Sequence, residues 1–154
     1  MALYQILYTS NALRQMDMAD LGRIEQVSVR NNRAAGVTGL LLYVGGNFLQ
    51  YLEGSQAAVE GIYGKLHRDR RHYGLTVIHR APRQNRLFDR WAMGVHAVLP
   101  GEAGGDALFR LSHKALERRL SSGGQAAERT ANVPVHDPVA PRLIRTFWQV
   151  CGGR

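Results

Sequence analysis

The spacing of hydrophobic and polar positions changes several times along the chain, and each change predicts a new element. From Leu3 to Thr9 the side chains alternate with a period of two, which predicts a strand. Apolar residues then recur every three to four positions from Leu21 onward, as in an amphipathic helix. Asp17 is a plausible N-cap for this helix, with Asp20 at the third helical position, and the pattern extends to about residues 30–32.

Two further strands are predicted around a pair of glycines. The run Leu40–Val44 is apolar at every position, which indicates a strand covered on both faces. Gly45–Gly46 predicts a tight hairpin turn, and Asn47–Gly54 predicts the returning strand. Because alternate side chains of a strand share a face, Gln50 lies between two large apolar residues and is expected to be buried.

The remaining pattern completes an α+β plan. Ser55 can cap a second helix that ends near residues 69–71, Leu75–His79 predicts a fourth strand and Phe88–Val95 a fifth. The order is that of a ferredoxin-like βαββαβ fold plus a fifth strand, with two helices on one sheet face. On the fifth strand, Trp91 and Met93 are expected to share a face.

The opposite sheet face needs a cover, which the C-terminal region can supply. An amphipathic pattern at about residues 108–115 and another that opens at Pro141 predict two helices, separated by a loop over residues 121–138. We expect them to pack over the side chains of this face, which are Leu3, Leu7, Leu49 and Tyr51. The predicted division is a domain at 1–97 and a helical extension at 98–154.

Charge and composition narrow the classes of function. The net charge is +8, but the basic residues are dispersed rather than clustered with aromatic residues, which favours a solvated surface over a nucleic-acid interface. A complementary acidic partner or a phosphate-bearing ligand is the alternative explanation of the basic excess. No apolar run approaches the length of a membrane span or resembles a signal peptide. Cys151 is the single cysteine, which fits a reducing compartment, so we expect the protein in the cytoplasm.

Conventional catalytic patterns are absent from the sequence. The six histidines show no metal-ligand spacing, and there is no nucleophile elbow, P-loop or dinucleotide-binding glycine motif. These absences lead us to expect a protein that is not an enzyme and holds no metal.

Two sets of polar residues in otherwise apolar settings indicate a binding site. Gln50 needs hydrogen-bond partners if it is buried, and these could be neighbouring backbone or hydroxyl groups, or a ligand. On the first helix, Ile24, Ser28, Asn31 and Asn32 fall on one face, which begins apolar and ends polar. The two asparagines could also simply end the helix.

Several separated motifs together resemble one family. They are Tyr8-Thr9-Ser10, Asn31-Asn32-Arg33, the run from Gly36 to Tyr43, the run from Gly46 to Gly54, the run from Arg68 to His72, and the run from Phe88 to Met93. In order and spacing this set resembles the BLUF family of blue-light sensors that use FAD, over about residues 2–97. The tail resembles that of short, stand-alone members.

The resemblance implies that a flavin ring lies between the two helices, over the sheet. It implies that Tyr8 and Gln50 are the photoactive pair and that Trp91 and Met93 compete for the position near the glutamine. It also implies a set of cofactor-binding residues: Asn31 and Asn32 at the polar edge of the ring, Ile24 and Ser28 along the ring, and Lys65, Arg68, Asp69 and Arg71 near the ribityl chain and phosphates.

The function that follows is a non-enzymatic FAD photoreceptor. Light would rearrange the hydrogen bonds around Tyr8 and Gln50, and the fifth strand and C-terminal helices would carry the signal to a separate protein partner. We also expect a homo-oligomer. One alternative is a ferredoxin-like interaction module without a chromophore, and another is a small acyl- or phosphoryl-transfer enzyme.

Overall fold

The computed structural model describes residues 2–88, 92–98 and 139–151. Its elements follow the order β1 (Leu3–Ala12), α1 (Met18–Ala35), β2 (Thr38–Val44), β3 (Asn47–Gly54), α2 (Gln56–His67), β4 (His72–Arg83), β5 (Gly94–Val98) and α3 (Val139–Cys151). The five strands form one sheet in the order β4-β1-β3-β2-β5. β1, β2, β3 and β4 pair antiparallel, and β5 joins parallel to β2. The predicted α+β class and ferredoxin-like order are therefore confirmed.

The ends of the helices follow from local hydrogen bonding. Asp17 accepts a bond from the Asp20 backbone N–H, and the Asp20 side chain accepts one from the Asp17 backbone N–H, so α1 begins with a capping box. α1 continues to Ala35, past the predicted end, because Gly36 takes the left-handed conformation (φ 70°) that closes a helix. Ser55 caps α2, where its hydroxyl accepts a bond from the Ala58 N–H.

The hairpin between β2 and β3 turns at the predicted glycines. Gly45 and Gly46 have φ values of 58° and 83°, which residues with a side chain rarely adopt. This turn fixes the register in which Leu41 faces Gln50, and β1 continues the row with Tyr8 opposite Gln50. The three side chains therefore lie in one row across the sheet face that carries α1 and α2.

Two hydrophobic clusters cover the two sheet faces. On one face, Ile6 and Leu52 pack with Leu21 of α1 and Val59 of α2. On the other face, the α3 residues Ala140, Leu143, Ile144 and Phe147 pack over a set of sheet residues that includes Leu7, Leu40, Leu42, Leu49 and Tyr51. The predicted cover by the last helix is confirmed, although Leu3 is only half-buried. The helix predicted at residues 108–115 and the loop at 121–138 lie outside the described residues.

The fifth strand begins later than predicted. Its pairing with β2 starts at Gly94, not at Phe88. The backbone N–H groups of Leu87 and Phe88 donate at 2.7 Å to the carboxylate of Glu53, which is fully buried. These two N–H groups therefore bond to the Glu53 side chain and do not pair with a neighbouring strand. Met93 accordingly precedes the strand, and Trp91 lies outside the described residues.

Candidate functional site

A cavity of about 440 Å³ lies between α1 and α2, over the sheet. It is lined by Tyr8 and Ser10 of β1, by Leu41 of β2, by Phe48 and Gln50 of β3, by Ile24, Val27, Ser28, Asn31, Asn32, Ala34 and Ala35 of α1, by Ile62, Lys65 and Leu66 of α2, and by Met16, Asp69, Arg71 and His72. Most of these walls are apolar, with a small number of amide, hydroxyl and charged groups among them. Such a lining is typical of small-molecule and cofactor sites.

Tyr8 and Gln50 form the floor of this cavity. They are direct partners across β1 and β3, so their side chains stand next to each other. Tyr8 is 2% exposed and Gln50 is 4% exposed. The Gln50 amide nitrogen contacts the Met93 sulfur at 3.8 Å. Within the described ranges, neither the Tyr8 hydroxyl nor the Gln50 amide oxygen has a hydrogen-bond partner.

A thioether is a weak acceptor, so this contact satisfies the Gln50 amide poorly. A buried amide with unfilled hydrogen-bonding capacity costs free energy unless a ligand supplies the missing partners. Among the described residues, Met93 is thus the one hydrogen-bond partner of the Gln50 side chain, and the cavity is where further partners would lie.

The phenol of Tyr8 is held in its neutral form. Burial is the main cause that raises its pKa well above the ordinary value, with smaller contributions from Tyr63 and Asp69. The Tyr63 ring packs edge-on against the Tyr8 ring at a centroid distance of 5.8 Å. At ordinary pH, Tyr8 therefore presents an O–H donor to its surroundings.

The polar end of α1 reaches the opposite wall. Asn32 is 2% exposed, and its side-chain nitrogen donates to the Ala92 carbonyl at 2.8 Å. Asn31 lines the cavity but is exposed to solvent, so it lies at the rim. Because α1 is continuous, Ser28 and Ile24 line the same wall about one and two turns earlier. The four α1 residues predicted from their helical spacing thus share one cavity.

Charged residues lie at the end of the cavity nearest the α2–β4 turn. Arg71 donates to both carboxylate oxygens of Asp69, with a shortest distance of 2.6 Å. This contact lowers the pKa of Asp69 and raises the pKa of Arg71. Lys65 also lines the cavity, and the His72 ring nitrogen lies 2.7 Å from the Leu66 carbonyl. Arg68 is the C-cap of α2 and is not among the lining residues.

Sequence reasoning missed several residues of the site. Leu41 and Phe48 could have been found, since they lie on the sheet face of Gln50. Met16 could not, because its place depends on a distant contact in which its N–H donates to the Tyr43 hydroxyl at 2.9 Å. The other lining residues that were not predicted from the sequence are Ser10, Val27, Ala34, Ala35, Ile62, Leu66 and His72.

The lining suits a flat, heteroaromatic group with a polar edge. Apolar side chains of the sheet and of both helices would cover its faces, while Asn31, Asn32 and Gln50 offer both donors and acceptors. Among residues 2–88, 92–98 and 139–151, no group of three or more His, Cys, Asp or Glu could hold a metal ion. No helix in those ranges is long and apolar enough to cross a membrane.

The fold and the cavity therefore define a cofactor-binding α+β domain. Residues 3–94 match the family BLUF, described as sensors of blue light using FAD. This match covers more than half of the chain, so the protein belongs to the BLUF family of blue-light sensors and FAD is its cofactor. The alternative of an interaction module without a chromophore receives no support.

Curated relatives and solved structures agree with this assignment. The chain is 38% identical over 92 residues to the photoactivated adenylate cyclase subunit beta of Euglena gracilis, a match that covers 59% of this chain and 11% of that protein. The chain thus spans about a tenth of the length of the curated relatives it matches. They carry enzymatic effector domains elsewhere, whereas residues 3–94 here are the sensor module.

Among solved structures, the BlrP1 protein of Klebsiella pneumoniae in its manganese and cyclic-diGMP complex superimposes with a TM-score of 0.69 at 27% identity, and covers 99% of this chain and 34% of its own. The dark-state structure of BlrB, a BLUF protein, gives a TM-score of 0.62 at 24% identity and covers 96% of both chains. At this identity, BlrB supports the fold alone.

Proposed function

We propose that Tyr8 and Gln50 are the light-sensitive switch of this FAD photoreceptor and that the chain itself performs no catalysis. The observation that carries this proposal is their placement as a buried cross-strand pair on the cavity floor, where a thioether is the one partner of the Gln50 amide in the described ranges. When bound, the flavin supplies the absorption of blue light and an excited state that accepts an electron.

The chemistry of the two side chains suits a switch without a covalent bond. Tyr8 Oη carries a proton that its raised pKa retains. Gln50, its cross-strand neighbour, carries an amide oxygen that can accept a hydrogen bond. Gln50 can rotate by a half-turn or change tautomer, which exchanges its donor and acceptor sides. Because Met93 sulfur holds the amide only weakly, two arrangements of Gln50 can be close in energy.

Different residues of the cavity would bind different parts of the cofactor. Asn32 and Asn31 would bond to the polar edge of the ring, and Ile24 and Ser28 would lie along it. The set nearest the ribityl chain and phosphates is Lys65, Asp69 and Arg71, with Arg68 adding positive charge from outside the lining. These roles rest on where the residues lie and on the chemistry of their side chains.

The output route would pass through the segment that precedes β5. Asn32 bonds to Ala92 and Gln50 contacts Met93, so two walls of the cavity contact adjacent residues of this segment. β5 pairs with β2, and the opposite face of β2 packs against α3. A change at Gln50 could therefore reach α3. Trp91, two residues before Met93, is a candidate for the same route.

A separate protein would receive the signal, and a homo-oligomer would be the working form in the cytoplasm. The photoactivated adenylate cyclase subunit beta named above carries an effector domain elsewhere in its chain, which supports an effector-coupled role for this chain. The basic excess of the chain is compatible with binding to a protein partner, and the single cysteine is compatible with the cytoplasm.

The test compares three variants in the flavin-loaded state. Tyr8→Phe and Gln50→Leu should keep FAD but lose the light-induced change in the flavin absorption band, because packing survives while the proton or the amide is gone. Tyr63→Phe is the matched control, since Tyr63 is a neighbouring tyrosine outside the cavity lining. A normal light response in Tyr8→Phe or Gln50→Leu would remove that residue from the switch.

A further inference from the structure

A buried carboxylate, that of Glu53, lies near the end of β3 and outside the cavity lining. Its two oxygens accept four hydrogen bonds of 2.7–3.0 Å, from the backbone N–H groups of Leu87 and Phe88 and from the hydroxyls of Thr38 and Tyr51. Hydrogen bonds to a charged acceptor are stronger than those between neutral groups, and a buried charge needs them. Glu53 therefore fixes the backbone at Leu87 and Phe88 to the central part of the sheet.

Arg86 fixes the same segment to the polar end of α1. Its guanidinium donates to the Gly36 carbonyl at 2.8 Å, to the Thr38 hydroxyl at 2.9 Å and to the Glu53 carbonyl at 3.2 Å. Gly36 is the C-cap of α1, one turn after the Asn32 that lines the cavity. A planar guanidinium that bonds three groups holds them in one arrangement. The end of α1, the start of β2 and the end of β3 are thus joined at Arg86.

The chain that continues from these two anchors contacts the cavity. Asn32 donates to the Ala92 carbonyl at 2.8 Å, and the Gln50 amide contacts the Met93 sulfur at 3.8 Å. Ala92 follows Phe88 closely in the sequence, and each residue extends a chain by at most about 3.6 Å. An anchor at Phe88 therefore restricts where Ala92 and Met93 can lie, and so restricts the immediate surroundings of Gln50.

We propose that Glu53 and Arg86 are positioning residues of the light switch, which hold Met93 beside Gln50 and thereby slow the return of the switch in the dark. The inference rests on the proposed role of Gln50. To turn back, the Gln50 amide must pass its neighbours on a buried cavity floor, and Met93 is one of them. A segment that is bonded at Glu53 and Arg86 does not move aside easily, whereas a released segment does.

The test measures how fast the flavin absorption band returns after blue illumination of the FAD-loaded protein. Arg86→Gln removes the guanidinium, and Glu53→Gln replaces a carboxylate oxygen with an amide nitrogen that accepts no hydrogen bond. Each variant should return about three- to tenfold faster than the parent, as expected when the net contribution of one hydrogen bond is lost from the barrier. Arg86→Lys keeps the charge but not the planar fork, so its rate should lie between those of Arg86→Gln and the parent.

Two control variants separate this effect from loss of charge and from general loss of stability. Arg33→Gln removes a positive charge from an exposed position in the last turn of α1, where no side-chain hydrogen bond or ion pair to the described residues is lost. Val59→Ala creates a cavity in the buried side of α2, away from the cavity lining. Both should recover within about twofold of the parent rate, as independent sites do.

Parent-like or slower recovery in Arg86→Gln, which is half-buried and expected to fold, would overturn the proposal, and so would the same result in a folded Glu53→Gln. Equal acceleration in Val59→Ala would overturn it as well, because it would indicate a general structural effect. Hydrogen exchange in the dark tests the anchors without the switch: the Met93 amide should exchange faster in Arg86→Gln than in the parent or Arg33→Gln. Unchanged exchange would overturn the anchors, whereas absence of any light-induced shift in the parent would contradict the switch itself.

Discussion

The substitution Asn32→Ala tests how much the hydrogen bond between α1 and the segment before β5 contributes to the stability of the protein. Asn32 is buried, and its 2.8 Å bond is made to the Ala92 carbonyl, directly before the Met93 that contacts Gln50. Removing the amide leaves this carbonyl without its donor. A buried polar group left unsatisfied costs about 1–3 kcal/mol, so the free energy of unfolding of the apo-protein should fall by about that amount.

Flavin affinity should fall as well, for a separate reason. The Asn32 amide also lines the cavity, and the polar edge of the ring would lose a partner in a site with mostly apolar walls. A loss of about 1–3 kcal/mol corresponds to a dissociation constant about 5 to 150 times larger. Urea unfolding of the apo-protein measures the first effect, and fluorescence titration with FAD measures the second.

Asn31→Ala is the comparison, because it removes the same group from the exposed neighbour at the rim. Its effect on unfolding should be within about 0.5 kcal/mol, as for most surface substitutions. If Asn32→Ala matched the parent in both unfolding and affinity, the hydrogen bond from Asn32 to Ala92 would contribute neither to stability nor to flavin binding.

Three further predictions concern output, packing and pH. Met93→Ala should keep the light-induced spectral change but reduce any light-dependent change in oligomer size or in hydrogen-exchange protection of α3; a response equal to the parent in both measurements would exclude the route through β5. Gly39→Ala should prevent folding or strongly destabilise the protein, because a Cβ atom would lie 2.0 Å from a carbonyl oxygen of β3. A Cβ atom at Gly22 would have nothing within 4 Å, so Gly22→Ala should stabilise α1 by up to about 1 kcal/mol. Thermal unfolding of both variants measures the two effects. Because the pKa of Tyr8 is raised, the unfolded chain loses the phenolic proton from about pH 10 upward while the folded chain keeps it. The free energy of unfolding should therefore fall there by up to about 1.4 kcal/mol per pH unit, and less steeply in Tyr8→Phe. Equal slopes for parent and variant in a series of unfolding measurements at alkaline pH would contradict this.

Local signals in the sequence were sufficient for the order of elements. Asp17 is the N-cap, as predicted, and forms a capping box with Asp20, and the glycine pair forms the predicted hairpin turn. Once β1, β2 and β3 are in register, the period of a strand determines which side chains face the cavity. The pairing of Leu41 with Gln50 follows from the local hairpin, whereas the pairing of Tyr8 with Gln50 depends on the contact between β1 and β3.

Features that depend on distant contacts were not readable in the same way. The start of β5 shifts because Glu53, far earlier in the chain, accepts the backbone N–H groups of Leu87 and Phe88. The same carboxylate also accepts bonds from the hydroxyls of Thr38 and Tyr51, so it joins three parts of the fold. A hydrophobic pattern does not reveal that a glutamate is buried, and the sequence therefore predicts a strand that begins too early, at Phe88.

The central claim is that light changes hydrogen bonds around Tyr8 and Gln50 without forming a covalent bond. The most direct measurement is the absorption spectrum of the FAD-loaded protein before, during and after blue illumination. None of the described residues lining the cavity is a cysteine that could attack the flavin ring. We predict a small red shift of the flavin band that reverses in the dark, and loss of the band or an unchanged spectrum would contradict the account.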